Sequence, residues 1–201
     1  MDISWHGGTC FALRGADATV WANLETASGL EDAGTVHLFN GRLATAAPAG
    51  GGTPFRIDGP GEFEVGPVFV VGVGVQATDK SSGLRHTAYA TRFDGVTVCL
   101  LGAGAHPPDG AAAADLGDID VLLVPLGGDG LSPSDVAELV GRLEPSIVVP
   151  APQEGMASKA LASFLTEMGA SNLEAEALFK ARPNQMPEET KVALLSPEAP
   201  A

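Results

Sequence analysis

The chain has 201 residues, of which 45 % are hydrophobic and 18 % charged; the length points to one domain and the composition excludes an intrinsically disordered protein. Asp plus Glu number 25 against 11 Lys plus Arg, a net charge of -14. Such a surplus repels phosphates, which excludes nucleic acid and an anionic membrane surface as partners. Cys10 and Cys99 are the only cysteines, too few for a disulfide framework or a Cys-rich zinc site.

The first three-quarters of the chain predict strands. Residues 3–5, 10–13 and 18–22 are short β-favouring runs, and Gly15-Ala16-Asp17 reads as the turn of a meander. Residues 35–39 and 54–57 are further strands, separated by a flexible Gly50-Gly51-Gly52 loop. Residues 59–65 read as a turn in which Gly59 and Gly61 supply unusual backbone angles, so Glu62 and Glu64 are not a working carboxylate pair. The apolar run 68–75 predicts a strand buried on both faces. Residues 87–93 and 96–101 flank Asp94-Gly95, a hairpin signal because both residues tolerate the positive φ of a type I′ turn.

The pattern then alternates. Residues 120–126 predict a buried strand. Ser132-Pro133 opens a helix with Ser as cap and Pro at the first position, and Val136, Leu139, Val140 and Leu143 form one apolar stripe. Residues 146–149 predict a strand, and a second helix carries Leu161, Phe164, Leu165 and Met168 before Gly169 closes it. Residues 173–179 and 191–195 read as a final pair of strands, and 196–201 as a disordered tail after a domain spanning 1–195. A β-rich first part and a β-α-β-α second part predict two packed sheets with helices outside them. No basic and apolar leader opens the chain, and no apolar run approaches the ~20 residues of a spanning helix. A cytoplasmic protein with no membrane partner is expected.

Several segments share a pattern in order: Trp5-His6-Gly7-Gly8-Thr9-Cys10-Phe11, Gly59-Pro60-Gly61-Glu62-Phe63-Glu64-Val65, Leu101-Gly102-Ala103 after the Asp-Gly hairpin, Asp120-Val121-Leu122-Leu123-Val124-Pro125-Leu126-Gly127-Gly128, Pro145-Ser146-Ile147-Val148-Val149-Pro150-Ala151-Pro152-Gln153, and Met186-Pro187-Glu188-Glu189-Thr190-Lys191-Val192. Together they resemble the metallo-β-lactamase fold, in particular a small subgroup of zinc-dependent hydrolases similar to ascorbate-phosphate lactonase. The resemblance implies an α/β fold, a single-domain four-layer αββα sandwich. It also implies zinc or manganese held by a His-x-His-x-Asp-His loop and later His and Asp residues. Such a metal lowers the pKa of a bound water for attack on an ester or phosphoester.

The ligand positions are degenerate. Aligned on Thr35-Val36, the loop positions hold Leu38, Asn40, Arg42 and Leu43; started at His37, they hold Phe39, Gly41 and Arg42 after it. The Asp after Leu-Gly is Ala103, the His of Ile-Pro-Met-His is Pro152, the His after the long apolar strand is Ala77 with Asp79 nearby, and the His of Gly-His-Ser-Cys-Phe is Gly8. Leu and Phe have no lone pair to give, and Arg is a fixed cation. No metal cofactor is therefore expected, and no Ser-His-Asp or Cys-His spacing supplies a nucleophile. His6, His37, Asn40, Arg42, Asp79, His106 and Gln153 are the candidates to line the vacated cleft. Arg42 is either a solvated loop cation or a replacement for the metal's charge that holds an anion or a carboxylate such as Asp79. The expected function is non-catalytic, a pseudoenzyme that binds a small anion or a protein partner. The rival is a lactone or phosphoester hydrolase with a rebuilt metal site. Homo-oligomers, which occur in the subgroup, are implied as well.

Overall fold

The computed structural model describes residues 1–24, 34–41, 54–79 and 85–198; Arg42, Leu43 and the glycine run at 50–52 lie outside them. Two sheets stack face to face. The first holds β1 (Asp2–Trp5), β2 (Phe11–Arg14), β3 (Thr19–Ala22), β4 (Val36–Leu38), β5 (Phe55–Ile57) and, from far along the chain, β12 (Phe179–Lys180), in the order β12-β1-β2-β3-β4-β5. The second holds β6 (Gly61–Val65), β7 (Val68–Val75), β8 (His86–Phe93), β9 (Val96–Leu100), β10 (Val121–Leu126), β11 (Ile147–Pro152) and β13 (Lys191–Val192), in the order β13-β11-β10-β9-β8-β7-β6. The meander β1-β2-β3 is antiparallel, as predicted. The hairpin β8-β9 turns on Asp94 at φ 53° and Gly95 at φ 73°, the paired positive angles its sequence predicts.

Strand alternation sorts side chains between sheets. Ile3, Leu13, Leu38 and Ile57 meet Val70, Tyr89, Leu100 and Val149 in the inter-sheet core. Strands β9, β10 and β11 run parallel. Both β10 and β11 are buried throughout, which is why their sequences are unbroken apolar runs. A second core covers their other face, where Leu122, Val124 and Cys99 meet Leu139 and Phe164. It lies beneath α1 (Gly110–Leu116), α2 (Pro133–Leu143) and α3 (Lys159–Glu167). Each fully buried Leu or Phe contributes roughly 1.5–3 kcal/mol. All three helices pack on the second sheet; among the described residues no helix lies over the outer face of the first. The α/β, two-sheet, single-domain architecture is as predicted; among the described residues it shows two sheets with helices packed on the second. None of these helices is long and apolar enough to cross a membrane.

Four expectations are corrected by the structure, and one unpredicted element is added. Residues 61–65 are a strand rather than a turn, because β7 offers them a full antiparallel ladder; the irregular backbone stays at 59–61, and Glu62 and Glu64 point to solvent. Strand β7 buries Val68 and Val70 but leaves Phe69, Val71, Val73 and Val75 half-buried, so it is not enclosed on both faces. Helix α1 is absent from the periodicity because alanines make no apolar stripe; Asp109 caps it by accepting from the Ala112 N–H at 2.9 Å. The two final strands do not pair with each other: β12 joins β1 and β13 joins β11. Finally, residues 196–198 are held rather than disordered. Ser196 N–H donates to the Glu176 carbonyl at 2.9 Å, and Glu198 N–H to the Trp5 carbonyl at 2.7 Å.

The start of α2 gives a direct stability test. Ser132 Oγ accepts from Asp135 N–H at 3.2 Å, and the Asp135 carboxylate accepts from Ser132 N–H at 3.3 Å, a reciprocal cap. Ser132→Ala is expected to lower unfolding free energy by about 1 kcal/mol. A urea midpoint equal to that of the parent protein would show the cap to be idle.

Candidate functional site

The parallel strands β9, β10 and β11 end at one edge of the sandwich, where open α/β sheets place their sites. The loops that follow them are tied together there. Gly104 N–H donates to the Asp129 carbonyl at 2.7 Å, and Gln153 N–H to the Leu126 carbonyl at 2.9 Å. Strand β4 of the other sheet reaches the same edge through Phe39 and Asn40.

Asn40 is 2 % exposed. Its Nδ2 donates to the Thr87 carbonyl at 2.7 Å and the Leu100 carbonyl at 3.1 Å, at the head of β8 and the end of β9. Its Oδ1 accepts from Asn23 Nδ2 at 2.8 Å, and its backbone N–H donates to Asn23 Oδ1 at 2.9 Å. Asn23 holds φ 49°, a left-handed angle that Asn tolerates. Both Nδ2 protons of Asn40 are therefore committed to the second sheet and its Oδ1 to the first. A second strut runs parallel to this one. The Tyr89 hydroxyl donates to the Phe39 carbonyl at 3.2 Å or the Gly59 carbonyl at 3.4 Å. Burial pushes the Tyr89 pKa well above its ordinary value, so it remains a donor. Gly102 packs against this bracket so closely that a Cβ there would overlap the Cβ of Asn40.

Next to Asn40, Gly41 bridges to His86. The His86 ring sits between Gly41 and Gly104. A Cβ on Gly104 would lie 3.4 Å from the ring, and Gly104 already holds φ +77°. His86 is 7 % exposed, and its buried Nδ1 has no hydrogen-bond partner among the described residues. Burial lowers its pKa, so the imidazole is neutral at pH 7. It borders a cavity of about 420 Å³ whose other walls include Asp58, Pro60, Val75 and Arg85. Neither His86 nor Arg85 was among the sequence candidates. The available signal was an imidazole heading a predicted strand whose side chains are nearly all buried.

The remaining candidates scatter. His37 and His6 lie on the outer face of the first sheet, away from the cleft. Val36 and Leu38 point into the core, so the side chain between them points out. His37 stands in register between Trp21 and Arg56. His6 Nε2 is 3.0 Å from Ser4 Oγ and 3.4 Å from the Glu198 carboxylate, with its ring 4.9 Å from that of Trp21. Burial lowers the His6 pKa, Glu198 opposes that shift and Arg14 adds to it. Asp79 and His106 are exposed. His106 N–H donates to the Gln76 carbonyl at 2.7 Å, and the residue borders a separate hollow of about 460 Å³ beside Pro108 and Ala112. Gln153 is half-buried and folds back, its Nε2 donating to the Ala151 carbonyl at 2.8 Å.

This donor set does not fit a zinc or manganese centre. Asn40, Ala103 and Pro152 occupy the strand ends, and among the described residues no three of His, Cys, Asp and Glu converge. A catalytic zinc needs three protein ligands and an open position. Cys99 offers no replacement nucleophile, because burial pushes its pKa up to about 12.

Residues 2–152 match the model of the family described as "Beta-lactamase superfamily domain". No curated protein matches. Three solved structures share the fold. One is a proposed Zn-dependent hydrolase of the metallo-beta-lactamase superfamily from Thermotoga maritima (24% identity, 96% of this chain and 97% of that chain, TM-score 0.74). Another is an isothiocyanate hydrolase from Delia radicum gut bacteria (8% identity, 98% and 97%, TM-score 0.65). The third is the metallo-beta-lactamase fold protein YhfI from Bacillus subtilis (7% identity, 98% and 96%, TM-score 0.60). At these identities the likeness establishes architecture alone.

Proposed function

The chain belongs to the beta-lactamase superfamily, and from that premise we propose that it is a metal-independent binding member, which takes up a small ligand at this edge of the sandwich instead of hydrolysing one. Hydrolysis on this fold depends on a metal-activated water, and its metal on converging imidazoles and carboxylates. Asn40 is the observation that carries the reading. At the end of β4, near where the resembling family begins its ligand loop, it uses both amide protons and its oxygen to join the two sheets. With both protons and one lone pair of its oxygen so engaged, the side chain serves the sheets and supplies no imidazole or carboxylate for an ion. The substitutions at Ala103 and Pro152 act in the same direction, since neither side chain has a donor atom.

Metal analysis of protein purified without chelator tests this. Zinc, manganese and iron are each expected far below one per chain. Added zinc or manganese is expected to induce no hydrolysis of a simple lactone or of p-nitrophenyl phosphate. Stoichiometric metal, or metal-dependent turnover of either compound, overturns the proposal in favour of a hydrolase.

A further inference from the structure

We propose that the free edge of β6 docks an extended segment of a partner protein in which Lys or Arg alternates with apolar residues. The surface lies apart from the strand ends, and the assignment does not depend on what they bind. Strand β6 is the last of its sheet and β5 the last of the other. Residues 58–60 alone join them, a length that spans the ~10 Å between stacked sheets, so the two open edges lie on one side of the sandwich. Among the described residues no hydrogen bond reaches 61–65 from outside the β6-β7 ladder. The two-residue turn Gly66-Pro67 fixes which groups are free. It makes Val65 and Val68 the closing pair that exchanges ladder bonds. Alternation from there turns the amides and carbonyls of Phe63 and Gly61 toward β7, and those of Glu62 and Glu64 outward. An added strand bonds to that outward row.

Side chains select the strand. Glu62 and Glu64 share one face, are exposed, and make no ion pair among the described residues. On the other face Phe63 and Val65 are half-buried against the inter-sheet core. Phe55 of β5 shares a face with the buried Ile57, yet it is 37 % exposed, one of two large hydrophobic residues left open among the described residues. The core is therefore uncovered along this seam. A strand laid on β6 sets alternate side chains beside the two carboxylates and the others over Phe63 and Val65, toward Phe55. A second copy of this chain does not match. Antiparallel β6-β6 pairing that keeps the two sheets' faces aligned sets Glu opposite Glu, between molecules of charge -14 each. A basic strand meets attraction at both positions.

The experiment titrates the full 15N-labelled chain with the capped peptide Lys-Val-Lys-Val-Lys-Val-Lys and reads amide shifts and hydrogen exchange. The controls are an isomer with its lysines grouped at one end and the Glu-Val counterpart. Expected is saturable binding of the alternating peptide below about 1 mM, with exchange newly slowed at the Glu62 and Glu64 amides and unchanged at Phe63 and Val65. The isomer, equal in charge, and the Glu-Val counterpart are expected to bind at least about 10-fold more weakly. Glu62→Lys/Glu64→Lys reverses two cross-strand pairs at exposed positions, so the variant keeps its fold. It is expected to weaken the Lys-Val peptide by about 10-fold and to take up the Glu-Val counterpart instead. No saturation, equal binding of the isomer, or unchanged affinity in the charge-reversed variant overturns the proposal. So does protection of the Glu62 and Glu64 amides that grows with protein concentration in the absence of peptide, which seats a second copy on this edge.

Discussion

Asn40→Ala is expected to destabilise the protein by about 3–5 kcal/mol, the largest effect of any single polar truncation at this edge. The substitution removes the donors that reach the Thr87 and Leu100 carbonyls and the acceptor and spacer that hold Asn23. Each buried polar group left unpaired costs about 1–3 kcal/mol, and three lose a partner together. Asn40→Asp is expected to be at least as damaging although its shape is kept, because it points a carboxylate oxygen at two carbonyl oxygens. Urea denaturation at pH 7 reads both. A loss under 1 kcal/mol for Asn40→Ala would show that the amide does not tie the sheets together. Asn40→His, which restores a family-like ligand at a single position, is expected to lower stability without conferring zinc binding, since no second or third ligand stands beside it among the described residues.

The second large effect is at Gly102. A Cβ at this position meets the Cβ of Asn40, an atom fixed by the backbone, so no change of rotamer relieves the overlap. Gly102→Ala is expected to cost about 3 kcal/mol, the upper end of ordinary overpacking. The cause is testable by a cycle. Asn40→Ala keeps the offending Cβ and is expected to leave the penalty of Gly102→Ala intact. Asn40→Gly removes it and is expected to recover about 1–2 kcal/mol of that penalty as a coupling energy. A penalty unchanged in the Asn40→Gly background would place the strain elsewhere.

Local signals made much of the architecture readable. The Asp94-Gly95 turn, the Ser132-Pro133 start and the apolar stripe of α2 are each set by residues within a few positions of one another. The parallel strands β10 and β11 were readable for a different reason: enclosure by helices on one side and a sheet on the other leaves no polar position. Where a partner is remote the sequence is silent. Residues 61–65 look like a turn until β7 supplies a ladder, and two-residue strands such as β12 and β13 exist only through their neighbours. The site divides in the same way. Strand alternation places His37 on the outer face, because Val36 and Leu38 must take the core. Asn40, by contrast, is a loop-favouring residue whose partners lie 47 and 60 positions away, and nothing near it in the chain marks it as buried. His86 stands likewise at the head of a strand, identified only by the glycines that fold converges upon it.

The contacts of the chain's far end with its near end constrain how the protein is made. Strand β1 pairs with β2 at once, but its other edge is completed only by Phe179–Lys180, and Trp5 meets Pro197 and Glu198. During synthesis, therefore, β1 leaves the ribosome with one flank of unpaired amides and carbonyls, and keeps it until Phe179–Lys180 have followed. An open strand flank is a template for pairing with other nascent chains. The acidic surplus that first excluded phosphate-bearing partners then has a protective role as well, keeping unfinished copies apart by mutual repulsion until β12 closes that edge of the sheet.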